Sequence, residues 1–211
     1  MKTDALIDLL AHGAGPAQPV PVARRLLPSL GAGVLLAAAV ALTLIGPLPA
    51  AAFASPTPWI KLLPVAVLGA LAWQWLLRTS RPASQTAPAR RRLQAGWLSL
   101  VALGLGSLML LPSGVRMVAL LGSSWWQCPL SLAALALPAM VLVMQAARGL
   151  PVGPARQAGA ALGLLAGCAA AAGYALACPE TSPAFVAVWY SCGMLICMAV
   201  GASFGTRGLR W

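Results

Sequence analysis

Residues 127–147 read QCPLSLAALALPAMVLVMQAA, an uncharged run closed by Arg148. A helix of about 17–25 predominantly apolar residues covers the hydrocarbon core of a bilayer, so this run is long enough to span. Outward from it the pattern repeats: residues near 27–48, 59–77, 94–112, 157–177 and 184–204 are also apolar and of spanning length. The chain of 211 residues is 60% hydrophobic and 8% charged, with a mean hydropathy of +0.85. A soluble domain carries roughly 25% charged residues, which excludes that class. Lipid satisfies no backbone polar groups, and these runs are too long and too unalternating for barrel strands. The expected fold is therefore all-α: a polytopic membrane protein with six transmembrane helices in one bundle. It divides into residues 1–25, an N-terminal helix and tether, and residues 26–211, the transmembrane domain.

Orientation follows from the fourteen basic residues. Lys2, Arg24 and Arg25 precede the first span, and Arg78, Arg81, Arg90, Arg91 and Arg92 fill the loop 78–92. Arg148 and Arg156 flank the next loop on that side, and Arg207 and Arg210 follow the last span. Only Lys61 and Arg116 fall on the other side. Short loops rich in Lys and Arg stay cytoplasmic, which places both termini inside and the loops 49–58, 113–126 and 178–183 outside. The net charge of +11 then reads as topology signal at anionic headgroups, and no nucleic-acid partner is expected. The partner it implies is the lipid bilayer. No cleavable signal is read before the first span, which is expected to stay in the membrane. The 78–92 loop reads as irregular, and Trp59, Trp125, Trp126 and Trp189 fall near the outer interface, where amphipathic rings belong.

Residues 1–11, MKTDALIDLLA, read as a short amphipathic helix. Thr3 can cap it, Asp4 suits its positive end and Gly13 ends it. Leu6, Leu9 and Leu10 form an apolar face with Ile7 at its edge, while Asp4 and Asp8 form an acidic stripe. Residues 13–22, GAGPAQPVPV, are a Gly/Pro-rich tether. In the fifth span Gly159, Gly163 and Gly167 form a doubled GxxxG stripe. The sixth carries Gly193, Gly201 and Gly205 in the same rhythm, with Cys197 in the gap. Small residues at this spacing let helix backbones approach, and packing between spans five and six is expected, with homo-oligomerisation the alternative.

Few residues can carry chemistry. The acids are Asp4, Asp8 and Glu180, none of them mid-span, and His12 is the only histidine. That is too little for a proton relay or an ion-coupled transporter. No His/Asp/Glu cluster, GxSxG or SxxK is present, so enzyme status would rest on thiols alone. Lys61, near the start of span two, is expected to snorkel outward. Cys168, Cys192 and Cys197 lie within spans and read as small packing residues. Cys128 and Cys178 differ: each sits at the outer edge of a span and is followed by proline, Pro129 or Pro179. Pro129 suits a helix's first turn, and the positive helix end favours a Cys128 thiolate. Three readings of the pair stand: a redox or metal-responsive switch, a permanent structural disulfide, or a quinone-linked thiol-redox enzyme. The last typically needs a CxxC spacing that is absent here. No resident cofactor is expected beyond transient capture of a thiophilic metal ion by Cys128 and Cys178.

MKTDALIDLLA, PTPWIKLL, ACPETSPAFVAVWYSCGM and the ending GASFGTRGLRW together resemble the NrsF family of bacterial inner-membrane anti-sigma factors. The resemblance covers essentially the whole chain, including the fifty-residue separation of Cys128 and Cys178; the CPE-SP-F-A-WY pattern, with Cys178, Pro179 and Glu180, is its specific part. It implies a non-enzymatic regulator that holds an extracytoplasmic-function sigma factor at the membrane and releases it under oxidative or heavy-metal stress. Cys128 and Cys178 become the sensing thiols. The N-terminal helix becomes the expected contact, with Leu6, Leu9 and Leu10 as groove anchors and Asp4 and Asp8 facing basic residues of a DNA-binding partner.

Overall fold

The least hydrophobic of the six spans lies at the centre of the bundle. The computed structural model describes residues 22–49, 57–81, 84–150 and 153–208, with residues 3 and 53 as isolated positions. Helices α1 (Val22–Leu44), α2 (Thr57–Thr79), α3 (Ala87–Ser107), α4 (Ser113–Leu121), α5 (Gln127–Ala147) and α6 (Ala155–Tyr174) come in chain order. The last span is composite: one turn of helix α7 (Pro183–Phe185), a π-helical turn (Val186–Tyr190) and α8 (Ser191–Gly208). Six of these segments are long and apolar enough to cross a membrane, α4 being the short exception. The chain is thus an all-helical, polytopic membrane protein.

Helix α6 owes its central place to its composition, ARQAGAALGLLAGCAAAAGY. Alanine and glycine on every face let α1, α2, α5 and α8 all pack against it. Of its most apolar stretch 89% is buried, against 17–56% for the other spans, which turn leucines such as Leu35, Leu103 and Leu110 outward to lipid. The α6–α8 contact is the most extensive, and its cause is the glycine stripe. A Cβ on Gly201 would lie 2.6 Å from the Gly163 Cα, and one on Gly205 2.5 Å from the Ala155 carbonyl oxygen. Only backbone fits there, so the two stripes pair within one chain. Cys197 stands in the same row, with its Cβ 3.0 Å from where a Cβ on Gly167 would be, and acts as a small packing side chain. Elsewhere the same device recurs: Gly33 of α1 faces Ala139 of α5, and Gly173 of α6 faces the Ala37–Ala38 backbone of α1.

Alternation of the spans brings two sets of termini together. One end of the bundle joins the Leu48 N–H to the Leu176 carbonyl at 3.3 Å and the Trp189 indole N–H to the Leu120 carbonyl at 2.9 Å. The other end, rich in arginine, joins the Gly153 N–H to the Thr79 carbonyl at 2.7 Å and Thr86 to Gln157 at 3.1 Å.

The elements differ from expectation in three places. The first span runs from Val22 to Leu44, so Arg24 and Arg25 are its first turn rather than a preceding anchor. The loop expected to be irregular through residue 92 is already helical from Ala87, because Pro88 occupies the first turn, where a missing N–H costs nothing. The 113–126 loop contains helix α4, which buries none of its residues and ends at Gly122, whose φ of 58° favours glycine.

Candidate functional site

Cys128 and Cys178 lie at the end of the bundle opposite the arginines, within electrostatic reach of each other. Cys128 lies in the first turn of α5, its N–H donating to the Ser124 carbonyl at 2.9 Å. Cys178 follows the end of α6 by four residues, in a turn in which its N–H donates to the Tyr174 carbonyl at 3.0 Å. Both are free thiols with no exposed surface. Pro129 is buried in the same turn as Cys128, whereas Pro179 is exposed. Pro129 fits the first turn of α5, where a missing N–H costs nothing, whereas Pro179 withholds a donor after the Cys178 turn and lets the chain leave it.

Around the two sulfurs stand groups that the sequence reading did not assign to them. Tyr174, from the last turn of α6, and Tyr190, from the π-helical turn, have ring centroids 5.9 Å apart. Both lie within electrostatic reach of Cys128 and Cys178. The Tyr190 hydroxyl is buried with no hydrogen-bond partner among the described residues. The π turn widens the helix by one residue and is what carries Tyr190 to this position; such turns recur at functional sites.

Lys61 corrects an expectation. It does not snorkel outward: it is fully buried, and its amino group donates to the Cys178 carbonyl. The side chain runs inward from the first turns of α2 and brings its charge within reach of Cys178, Glu180 and Cys128. A buried ammonium is costly and seldom retained without a purpose, and that cost was the signal in the sequence: Lys61 is the one cation set inside an expected span on the less basic side.

Glu180 closes the cluster from above. Its Oε1 accepts from the Ser123 N–H and the Ser123 hydroxyl, each at 2.7 Å, and from the Ser124 hydroxyl at 3.3 Å. Its carboxylate occupies the space a side chain would need at Gly122, 2.6 Å from a Cβ built there. Glycine at 122 therefore serves both the positive φ and the carboxylate. Trp125 packs against Trp189 with ring centroids 5.4 Å apart, and Trp189 in turn binds the Leu120 carbonyl. The segment 178–190 is thus tied to 120–126 at two points. Neither Cys128 nor Cys178 has exposed surface in this packing.

The remaining cysteines are apart from this cluster: Cys168 and Cys197 are buried between α6 and α8, and Cys192 is half-buried. No group of three or more His, Cys, Asp or Glu side chains placed to hold a metal occurs among the described residues, so metal capture would rest on Cys128 and Cys178. Asp4, Leu6, Asp8, Leu9 and Leu10 lie outside the described residues.

The fold defines the class: an all-helical polytopic membrane protein with six spans. The sequence pattern of one family, described as "Negative regulator of sigma F", matches residues 10–211. The chain belongs to this family, NrsF. It is 35% identical over 213 residues to the probable anti-sigma-F factor NrsF of Azospira oryzae, covering all of both chains. It is 32% identical over 221 residues to the anti-sigma-F factor NrsF of Caulobacter vibrioides, again with both chains fully covered. No solved structure matches. Family membership points to a regulatory role rather than to catalysis.

Proposed function

We propose that the chain is an inner-membrane anti-sigma factor that holds an extracytoplasmic-function sigma factor at the cytoplasmic face and lets it go when Cys128 and Cys178 react. The observation that carries the reading is the convergence of the two thiols with Lys61 and Glu180, because each polar contact there ties a different segment to the turn that bears Cys178. In the proposed orientation the arginine-rich end faces the cytoplasm and the thiol end faces the periplasm. Residues 1–25 supply a tethered helix, with Asp4, Leu6, Asp8, Leu9 and Leu10 contacting the sigma factor; residues 26–211 form the sensing bundle.

The step at the thiols takes one of two balanced forms. In the first, two thiols lose two protons and two electrons to an oxidant and become a disulfide. In the second, the two thiols lose two protons and bind a thiophilic divalent metal ion. Either changes the turn after α6 and the first turn of α5, which the Lys61 and Glu180 contacts hold in the resting packing. A switch from 1:99 to 99:1 needs about 5.5 kcal/mol. Hydrogen bonds to a charged group contribute about 1.5–3 kcal/mol each, so displacing Lys61 and Glu180 from their partners is of the required size.

The test has two arms. The intact protein in detergent retains a sigma factor from cytoplasmic extract, and deletion of residues 1–12 loses it. In cells, Cys128→Ser with Cys178→Ser keeps sigma-dependent genes silent under oxidant and metal. Retention of no sigma factor by the intact chain refutes the anti-sigma role; a normal stress response in the double variant refutes the thiol switch alone.

A further inference from the structure

We propose that the groove between α5 and α8 at the arginine-rich end is a binding site for one anionic phospholipid. The groove has a volume of about 420 Å³, within the range of small-molecule sites. Leu137, Val141 and Met144 of α5 and Phe204 of α8 give it an apolar floor and walls, and Arg148 and Arg207 stand at its mouth. Leu137, Val141, Met144 and Arg148 recur at helical spacing, so one face of α5 presents the apolar wall and the cation in line.

The dimensions choose the occupant. From Leu137 to Arg148 is eleven residues, about 16 Å along the helix. That is about half of a hydrocarbon core of roughly 30 Å, the depth of a single leaflet. A lipid with its phosphate at the two guanidiniums therefore lays an acyl chain along the groove to the bilayer midplane, whereas free phosphate would leave the apolar part unfilled. Charge chooses the headgroup. Both arginines are exposed, and the only carboxylate among the described residues, Glu180, is at the opposite end of the bundle. Two guanidinium forks with no acidic partner among the described residues match the planar, bidentate recognition of phosphate oxygens. Basic pockets between transmembrane helices are a recognised form of lipid headgroup site. The groove also joins α5, whose first turn holds Cys128, to the helix most tightly packed on α6, so its occupant would hold α5 against α8.

The full chain, purified in detergent, is titrated with dioleoylphosphatidylglycerol or dioleoylphosphatidylcholine in mixed micelles, and bound lipids are counted by native mass spectrometry. The first phosphatidylglycerol is expected to bind about 30-fold more tightly than the first phosphatidylcholine. Arg148→Gln with Arg207→Gln should bring the ratio below about threefold, while Arg148→Lys with Arg207→Lys, which keeps both charges, retains most of it. Val141→Trp, which fills the groove without touching the charge, should weaken both lipids, and soluble glycerol phosphate should not compete. A phosphatidylglycerol preference that survives Arg148→Gln with Arg207→Gln overturns the site, as does one lost equally in Arg90→Gln with Arg92→Gln. A second copy of the chain bound in place of lipid, and removed by Val141→Trp, also overturns it.

Discussion

Replacing Lys61 by methionine separates what this residue costs the fold from what it does for the switch. The amino group has no exposed surface and donates to the Cys178 carbonyl. Removing an ammonium from water costs several kcal/mol even after relaxation. One charge-assisted hydrogen bond returns about 1.5–3 kcal/mol of that. Methionine has nearly the same length and volume, so it fills the space and removes the desolvation cost, leaving one carbonyl short of a donor. Lys61→Met is therefore expected to be as stable as the parent or more so, by about 0–3 kcal/mol. For a chain of this length that is a rise of up to about 10 °C in melting temperature, read by circular dichroism in detergent. Lys61→Ala deletes the stem as well and should lose about 2–5 kcal/mol through the cavity left behind. In cells, Lys61→Met should release the sigma-dependent genes at lower oxidant or metal than the parent, since one of the contacts that hold the resting packing, the tie from α2 to the Cys178 turn, is gone. Equal destabilisation by methionine and alanine would refute the reasoning, because the ammonium would then be a net support of the fold.

Three further outcomes test the packing and the cover. Gly201→Leu drives a side chain into the α6 backbone, where even a Cβ would lie 2.6 Å from the Gly163 Cα. The cost should reach or exceed the about 1–3 kcal/mol of ordinary overpacking, and the folded yield in membranes should collapse. Gly31→Ala, in α1 with nothing within 4 Å of the added Cβ, should instead leave stability unchanged or raise it by about 0.5–1 kcal/mol in the same melting assay. Glu180→Ala leaves the Ser123 N–H without its acceptor and should cost about 1 kcal/mol. It should also speed maleimide labelling of Cys128 and Cys178, and an unchanged labelling rate would show that the Glu180 tie does not cover the thiols.

The number of spans was legible in the sequence because it depends on a local quantity. Spanning needs a run of apolar residues of bilayer length, and 127–147 or 184–204 states that outright. The glycine rhythm of 159, 163 and 167 against 201 and 205 likewise announced a close helix pair, since only glycine allows that approach. Element ends were less legible. Arg90 to Arg92 read as loop by polarity, yet a proline-started helix accepts them once their side chains can reach the headgroups.

What the tertiary structure alone decided is where the polar groups of α2, α6 and the last span converge. Lys61 is separated from Tyr174 and Tyr190 by more than a hundred residues, and no local pattern says that α2 and the π-helical turn flank the same thiols. By its position near a span end Lys61 had the reach to snorkel into water; it turns inward because the Cys178 carbonyl, freed at the end of α6, offers an acceptor within the bundle. Apolar length is summed along the chain and can be read from it. The direction of a long polar side chain depends on partners brought near by other helices, and only the assembled bundle supplies them.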